Sequence, residues 1–198
     1  MQHHFDLLAS QDPVFRAVLD KYGYPKVHIR DAGFAALCYI IIEQQVSIAS
    51  AKATYAKLLD HLKEVTPQII LATPDEAFRG CGVSRQKTLY LKDLAQKVSS
   101  GQLDLEKLDN GPEEAIREAL IQVKGIGHWT IEVYLMFCLQ MPDIIPLGDV
   151  AIRSAMRDLY GLEDVAEMEA HAAQWKPFRS AASHILWQHY LGVRRRLP

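Results

Sequence analysis

The feature that most limits what this chain can fold into is the density of helix-starting signals, set against the absence of any sustained strand-like alternation. Asp12-Pro13 reads as an N-cap and first-turn proline, opening a helix to about Tyr22. From Phe34, apolar residues recur at helical spacing through Leu37, Cys38, Ile41 and Ile42, until QQVS interrupts them. Ser47 then caps a helix that places Ala51, Tyr55, Leu58, Leu59 and Leu62 on one side. Thr66-Pro67 starts a short helix, and Thr73-Pro74-Asp75-Glu76 has the form of a capping box for another. A long helix is predicted from about Ser84 to Ser99, and a short one within SGQLDLEKLDNGPEE. Further helices are predicted from Pro112 to Val123, from about Trp129 to Leu139, from Asp149 to Tyr160 and from about Phe178 to Gly192. Many short helices joined by short loops predict an all-α class.

The 198 residues, 49% hydrophobic and 23% charged, suffice for a sizeable core in one domain or two small lobes. The longest apolar run, AALCYIII, is too short to span a bilayer and is broken by Glu43, so no membrane partner is expected. MQHHFDLLASQD has no basic segment followed by an apolar one, so no signal peptide is expected either. Cys38, Cys81 and Cys138 lie far apart, with no metal-ligand spacing. They read as buried, reduced thiols of a cytoplasmic protein, and three cysteines exclude an iron–sulfur cluster held by four. The formal net charge of -2 argues mildly against a nucleic-acid partner. GVRRRLP is a local basic cluster, and Arg194, Arg195 and Arg196 read as a solvated tail.

The stretch VKGIGHWT, residues 123–130, combines a tight turn with a following helix. Gly125 and Gly127 permit unusual backbone angles and close approach by another backbone. The first turn of the next helix leaves amides free and carries a positive partial charge. Together these form an anion site suited to a phosphate oxygen, to which Thr130 can add a hydroxyl. Apart from Lys124 the turn is uncharged, so it needs no basic surface. A bare GxG is also a common tight turn between packed helices. The longer stretch LIQVKGIGHWTIEVYLMF, however, resembles the helix-hairpin-helix motif of DNA repair glycosylases, L-x-x-hydrophobic-x-G-hydrophobic-G.

Downstream, IIPLGDVAIRSAM brackets a loop with Pro146 and Gly148 and puts Asp149 where a helix begins. An aspartate there is an N-cap worth about 1 kcal/mol. Hairpin, Gly/Pro-rich loop and aspartate in this order resemble the larger glycosylase superfamily, in which the aspartate is catalytic. Capping and catalysis are compatible, since the cap fixes the carboxylate. YIIIEQQVSIASAKATYAKL is similar to the family segment that enters DNA at the lesion. CGVSRQKTLYLKDLAQKVSSGQLDLEKL and WKPFRSAASHILWQHYLG are similar to its middle region and C-terminal helix. The branch resembled is DNA-3-methyladenine glycosylase II, the alkylation-repair type.

The resemblance implies a two-lobed helical glycosylase fold without an N-terminal β domain. Lobe one is expected at about 34–141, including the hairpin, and lobe two at about 1–33 plus 142–198, with a DNA cleft between them and the first and last helices in one lobe. It implies catalysis by Asp149 and a base pocket walled by Trp129 and Trp187. The strand is gripped at Gly125, Gly127 and Thr130, and Gln45 serves as the side chain filling the duplex gap. Trp187 reads equally as a core residue, Gln45 as a polar helix end, and Tyr134 as core packing. Bifunctional members carry a nucleophilic lysine in GxGxKT. Here Trp129 stands at that position, so hydrolysis without strand nicking is expected.

The implied substrates are cationic purines such as 3-methyladenine and 7-methylguanine in double-stranded DNA, acted on in base excision repair. The implied protein is a monomer that needs no cofactor. Several family hairpins hold an alkali-metal ion on backbone carbonyls, which the residues here neither require nor exclude. The alternatives are a non-catalytic lesion-binding protein, a glycosylase for another lesion class such as oxidised purines, and a helical interaction protein unrelated to DNA.

Overall fold

A computed structural model describes residues 1–194. Among them there are only helices and loops, with no strand. The helices are α1 (Gln2–Gln11), α2 (Pro13–Tyr22), α3 (Phe34–Glu43), α4 (Ile48–Leu62), α5 (Pro67–Ala72), α6 (Asp75–Gly80) and α7 (Arg85–Ser99). They continue as α8 (Leu105–Asp109), α9 (Glu113–Leu120), α10 (His128–Phe137), α11 (Val150–Tyr160), α12 (Val165–Ala172) and α13 (Arg179–Val193), with a 3-10 turn at Ala173–Trp175. None is long and apolar enough to cross a membrane. Arg195 and Arg196 lie outside the described residues.

Side-chain caps set most of the helix starts. Asp12 accepts from the amides of Val14 and Phe15, Ser47 from Ser50, Thr66 from Ile69, and Ser84 from Lys87. The capping box expected at Thr73 does not form. The Thr73 hydroxyl turns back to donate to the Ile69 carbonyl at 2.7 Å, and α6 starts on Pro74 without a side-chain cap. A threonine can bond the preceding turn as readily as the next, and here the end of α5 takes it. Two helices were not anticipated. α1 lacks a side-chain cap, whereas α12 carries one, Asp164 accepting from the Ala166 amide.

Contacts divide the described residues into two units, Arg30–Leu139 and Met1–Ile29 with the residues from Gln140 onward. In the first, α3 is the central element, with Leu37, Cys38, Ile40 and Ile41 fully buried. α4, α7 and α10 pack around it, α5 and α6 lean on α7, and α8 and α10 lean on α9. The buried Tyr134 hydroxyl donates to the Asp109 carboxylate at 2.8 Å and accepts from the Gly33 amide at 2.8 Å. Tyr134 is thus an internal brace within the core, as its packing reading expects. In the second unit, α1, α2 and α11 surround α13, over a core that includes Phe5, Leu8, Phe15, Met156, Trp175 and Ile185. Cys38, Cys81 and Cys138 are buried free thiols.

Candidate functional site

The hairpin is built from α9, the turn 121–127 and α10. Gly125 has φ +79°, and a Cβ on it would lie 2.1 Å from the Tyr90 ring, so both backbone and space demand glycine. Gly127 differs. Its φ of -109° suits any residue, and a Cβ there would meet nothing within 4 Å. It is the N-cap of α10 and, as a glycine, supplies no side-chain cap. The positive end of the helix at Gly127 therefore has space beside it for an anion. Three side chains from outside the hairpin fix the turn. Asp93 accepts from the Lys124 amide at 2.9 Å, Tyr90 lies against Gly125, and Gln44 donates to the Gly125 carbonyl at 2.8 Å.

Thr130 does not supply a hydroxyl to the surface, contrary to expectation. It is 2% exposed, and its oxygen accepts from Gln44 Nε2 at 2.9 Å. A threonine in the first turn points along the helix flank, and here that flank faces α3. Trp129 is half-buried in the same turn.

The loop after α3 brings Gln45 to the surface in the left-handed region, at φ +57°, next to the exposed Val46 and Ile48. Such a conformation is uncommon for a residue with a Cβ and must be held by its surroundings. Lys87 holds it from one side, donating to the carbonyls of Ile42 at 2.7 Å and Gln44 at 2.8 Å. Desolvation by burial lowers the Lys87 pKa from the usual lysine range.

In the other unit, Asp149 caps α11. Its Oδ1 accepts from the amides of Ala151 at 2.8 Å and Ile152 at 3.2 Å, and from Trp187 Nε1 at 3.3 Å. The loop leading to Asp149 is fastened to the start of α13. Arg179 pairs with both carboxylate oxygens of Asp143 at 2.8 Å each and with the Asp143 carbonyl at 3.0 Å. The Ser180 hydroxyl donates to the Met141 carbonyl at 2.6 Å and accepts from the Ile144 amide at 3.0 Å, while the Ser183 hydroxyl, 2.9 Å from the Arg179 carbonyl of its own helix, lies 3.3 Å from the Ile144 carbonyl. Desolvation opposes ionisation of Asp143, but the Arg179 bonds outweigh it and leave the pKa below the usual carboxylate value. α13 thus holds the loop at its first turns and the carboxylate itself two turns later.

Trp187 is half-buried at the edge of the core, with its indole N–H on Asp149, so it combines packing with support of the carboxylate. The sequence reading missed this bond and the roles of Gln44, Lys87, Tyr90, Asp93 and Arg179. The one available signal was the pair of serines three apart, Ser180 and Ser183, in the first turns of α13.

No group of three or more His, Cys, Asp or Glu among the described residues could hold a metal ion. The hairpin turn offers backbone carbonyls only, a donor set that suits a monovalent cation better than zinc. The Gly125 carbonyl accepts from Gln44 and the Val123 carbonyl from the Ile126 amide at 3.0 Å. Each keeps a second lone pair.

Comparison with known proteins agrees with this geometry. DNA-3-methyladenine glycosylase 1 of Schizosaccharomyces pombe is 32% identical over 78% of this chain and 71% of its own length. A putative DNA-3-methyladenine glycosylase of Bacillus subtilis is 32% identical over 95% of this chain and 69% of its own. The solved Schizosaccharomyces pombe 3-methyladenine DNA glycosylase in complex with abasic DNA matches with a TM-score of 0.85 at 27% identity, covering 94% of this chain and 95% of that one. The model of the HhH-GPD superfamily of base excision DNA repair proteins matches residues 38–180, from α3 through the hairpin and Asp149 into α13. The chain belongs to the HhH-GPD superfamily of base excision DNA repair proteins.

Proposed function

We propose that this chain is a monofunctional DNA glycosylase that flips alkylated, positively charged purines such as 3-methyladenine and 7-methylguanine out of duplex DNA and hydrolyses their N-glycosidic bond. The observation that carries this reading is the anchored carboxylate, Asp149, with Oδ1 held by two helix amides and the Trp187 indole. The names of the relatives and the abasic DNA bound by the yeast neighbour support it.

Cleavage of the bond between C1′ and the base nitrogen sends the electron pair to the base and builds positive charge on the sugar. A fixed carboxylate stabilises that charge and orients the water whose oxygen bonds to C1′, and it takes the proton that this water gives up. A cationic purine leaves as a neutral molecule, so no general acid is needed. The indoles of Trp129 and Trp187 supply electron-rich faces that favour a cation by about 1–2 kcal/mol when desolvated. Trp129 also stands where a lyase carries its amine, and an indole forms no Schiff base. The open N-terminus of α10 at Gly127 binds a phosphate, and the exposed Gln45 occupies the gap left by the flipped base.

The protein acts as a monomer in this reading, and hydrolysis uses no cofactor. A monovalent cation on the turn carbonyls would add positive charge near the phosphate and serve binding alone. The test is release of free bases from methylated duplex DNA, identified chromatographically, by wild type and Asp149→Asn. Wild type is expected to release 3-methyladenine or 7-methylguanine without nicking the strand. Asp149→Asn should lose on the order of 10² or more in rate while still binding DNA. Lesion binding without release by wild type would refute the reading.

A further inference from the structure

Gln44 joins two loops that the proposed reaction uses together. Its backbone opens the turn that carries Gln45, and its side chain reaches the hairpin. Both hydrogens of Nε2 are used, one on the Gly125 carbonyl at 2.8 Å and one on Thr130 Oγ1 at 2.9 Å. The Gln44 carbonyl is itself held by Lys87 Nζ at 2.8 Å. The residue is therefore fixed through backbone and side chain at once. The Gln45 turn cannot shift without moving the Gln44 amide off Gly125. Asparagine is one methylene shorter and could not span both contacts. Glutamate would set acceptor oxygens against the Gly125 carbonyl.

We propose that Gln44 is a positioning residue for base flipping: it couples the strand-gripping hairpin to the Gln45 turn, so that seating of the phosphate and insertion of Gln45 occur in register. The proposal rests on the reading of the chain as a base-flipping glycosylase. A purely structural role would weaken every DNA interaction and the fold together. A coupling role acts on flipping and depends on Gln45.

The test is a double-mutant cycle of Gln44→Leu and Gln45→Ala in the full chain. It reads the single-turnover release of 7-methylguanine at saturating enzyme, and flipping through the fluorescence of 2-aminopurine placed beside the lesion. Gln44→Leu is expected to lower both the rate and the flipping signal about tenfold, with affinity for undamaged duplex within about twofold of wild type. In the Gln45→Ala background the same change should cost less than about twofold. A tenfold loss in both backgrounds overturns the proposal, as does an equal loss of affinity for undamaged DNA. Should Gln44→Leu fail to fold by circular dichroism, Thr130→Val removes one of the two acceptors and takes its place. It should then cost about threefold alone and nothing beside Gln45→Ala. If wild type releases no base, the glycosylase reading fails separately, and the fluorescence cycle still decides the coupling.

Discussion

Asp149 Oδ1 receives three donors, of which the Trp187 indole is the longest at 3.3 Å. A hydrogen bond to a charged acceptor contributes about 1.5–3 kcal/mol at good geometry, and less at this length. Trp187→Phe keeps an aromatic ring and removes only the donor. We expect excision to fall about fivefold, corresponding to about 1 kcal/mol, with lesion binding nearly unchanged, measured as single-turnover base release beside equilibrium binding. A large loss of binding with an unchanged rate constant would mean that the indole serves the base alone. The carboxylate was legible in the sequence because its loop and helix start are local features. Its bond to a residue 38 positions away was not, because a half-buried tryptophan reads the same whether or not its N–H has a partner. Thr130 shows the converse error. Its position in the hairpin was legible, but its direction depended on Gln44 from the turn after α3.

At the scale of elements, the hairpin separates its two glycines. Gly125 is required by the fold itself, through a left-handed φ and the Tyr90 ring, while Gly127 is required by neither. Gly125→Ala should destabilise the protein by about 1–3 kcal/mol or more, from backbone strain plus overpacking. Gly127→Ala should cost less than about 1 kcal/mol, the difference between these residues at an N-cap, yet weaken DNA binding several-fold because its methyl would occupy the space a phosphate needs. Denaturation midpoints and binding isotherms of the pair check this, and equal effects on stability would contradict the distinction. The sequence pattern GxG marked both positions alike. Periodicity and caps revealed most helices, from α2 to α13, but not α1, whose only signal is Phe5, Leu8 and Ala9 on one face. The cap of α12 at Asp164 is a local signal readable in the sequence, whereas the false capping box at Thr73 fails because the preceding turn of α5 competes for the same hydroxyl.

At the scale of the whole molecule, acid stability follows from buried histidine. His184 on α13 is 5% exposed and packs near Phe5 and Trp187, and burial holds its pKa down to about 4. The unfolded chain, with a pKa near 6.5, takes up a proton first as pH falls. Stability from this group is therefore intact above about pH 6.5 and is lost progressively down to about pH 4, with no further loss below. A shift of this size corresponds to about 3 kcal/mol over the full window. His171 and His189 are also shifted downward, mainly by burial, and act in the same direction. Asp143 is depressed, so its contribution is lost only below the usual carboxylate pKa, at lower pH than the histidine window. Asp109, raised mainly by burial, has the opposite sign and belongs near and above that carboxylate value. Thermal midpoints measured from pH 7.5 to 4.5 should stay level to about pH 6.5 and then fall, and His184→Gln should flatten much of that slope. A flat wild-type profile between pH 7 and 5 would show that this histidine is protonated within the fold. Because His184 packs on Trp187, which bonds Asp149, the pH that loosens this core also loosens the support of the proposed catalytic carboxylate.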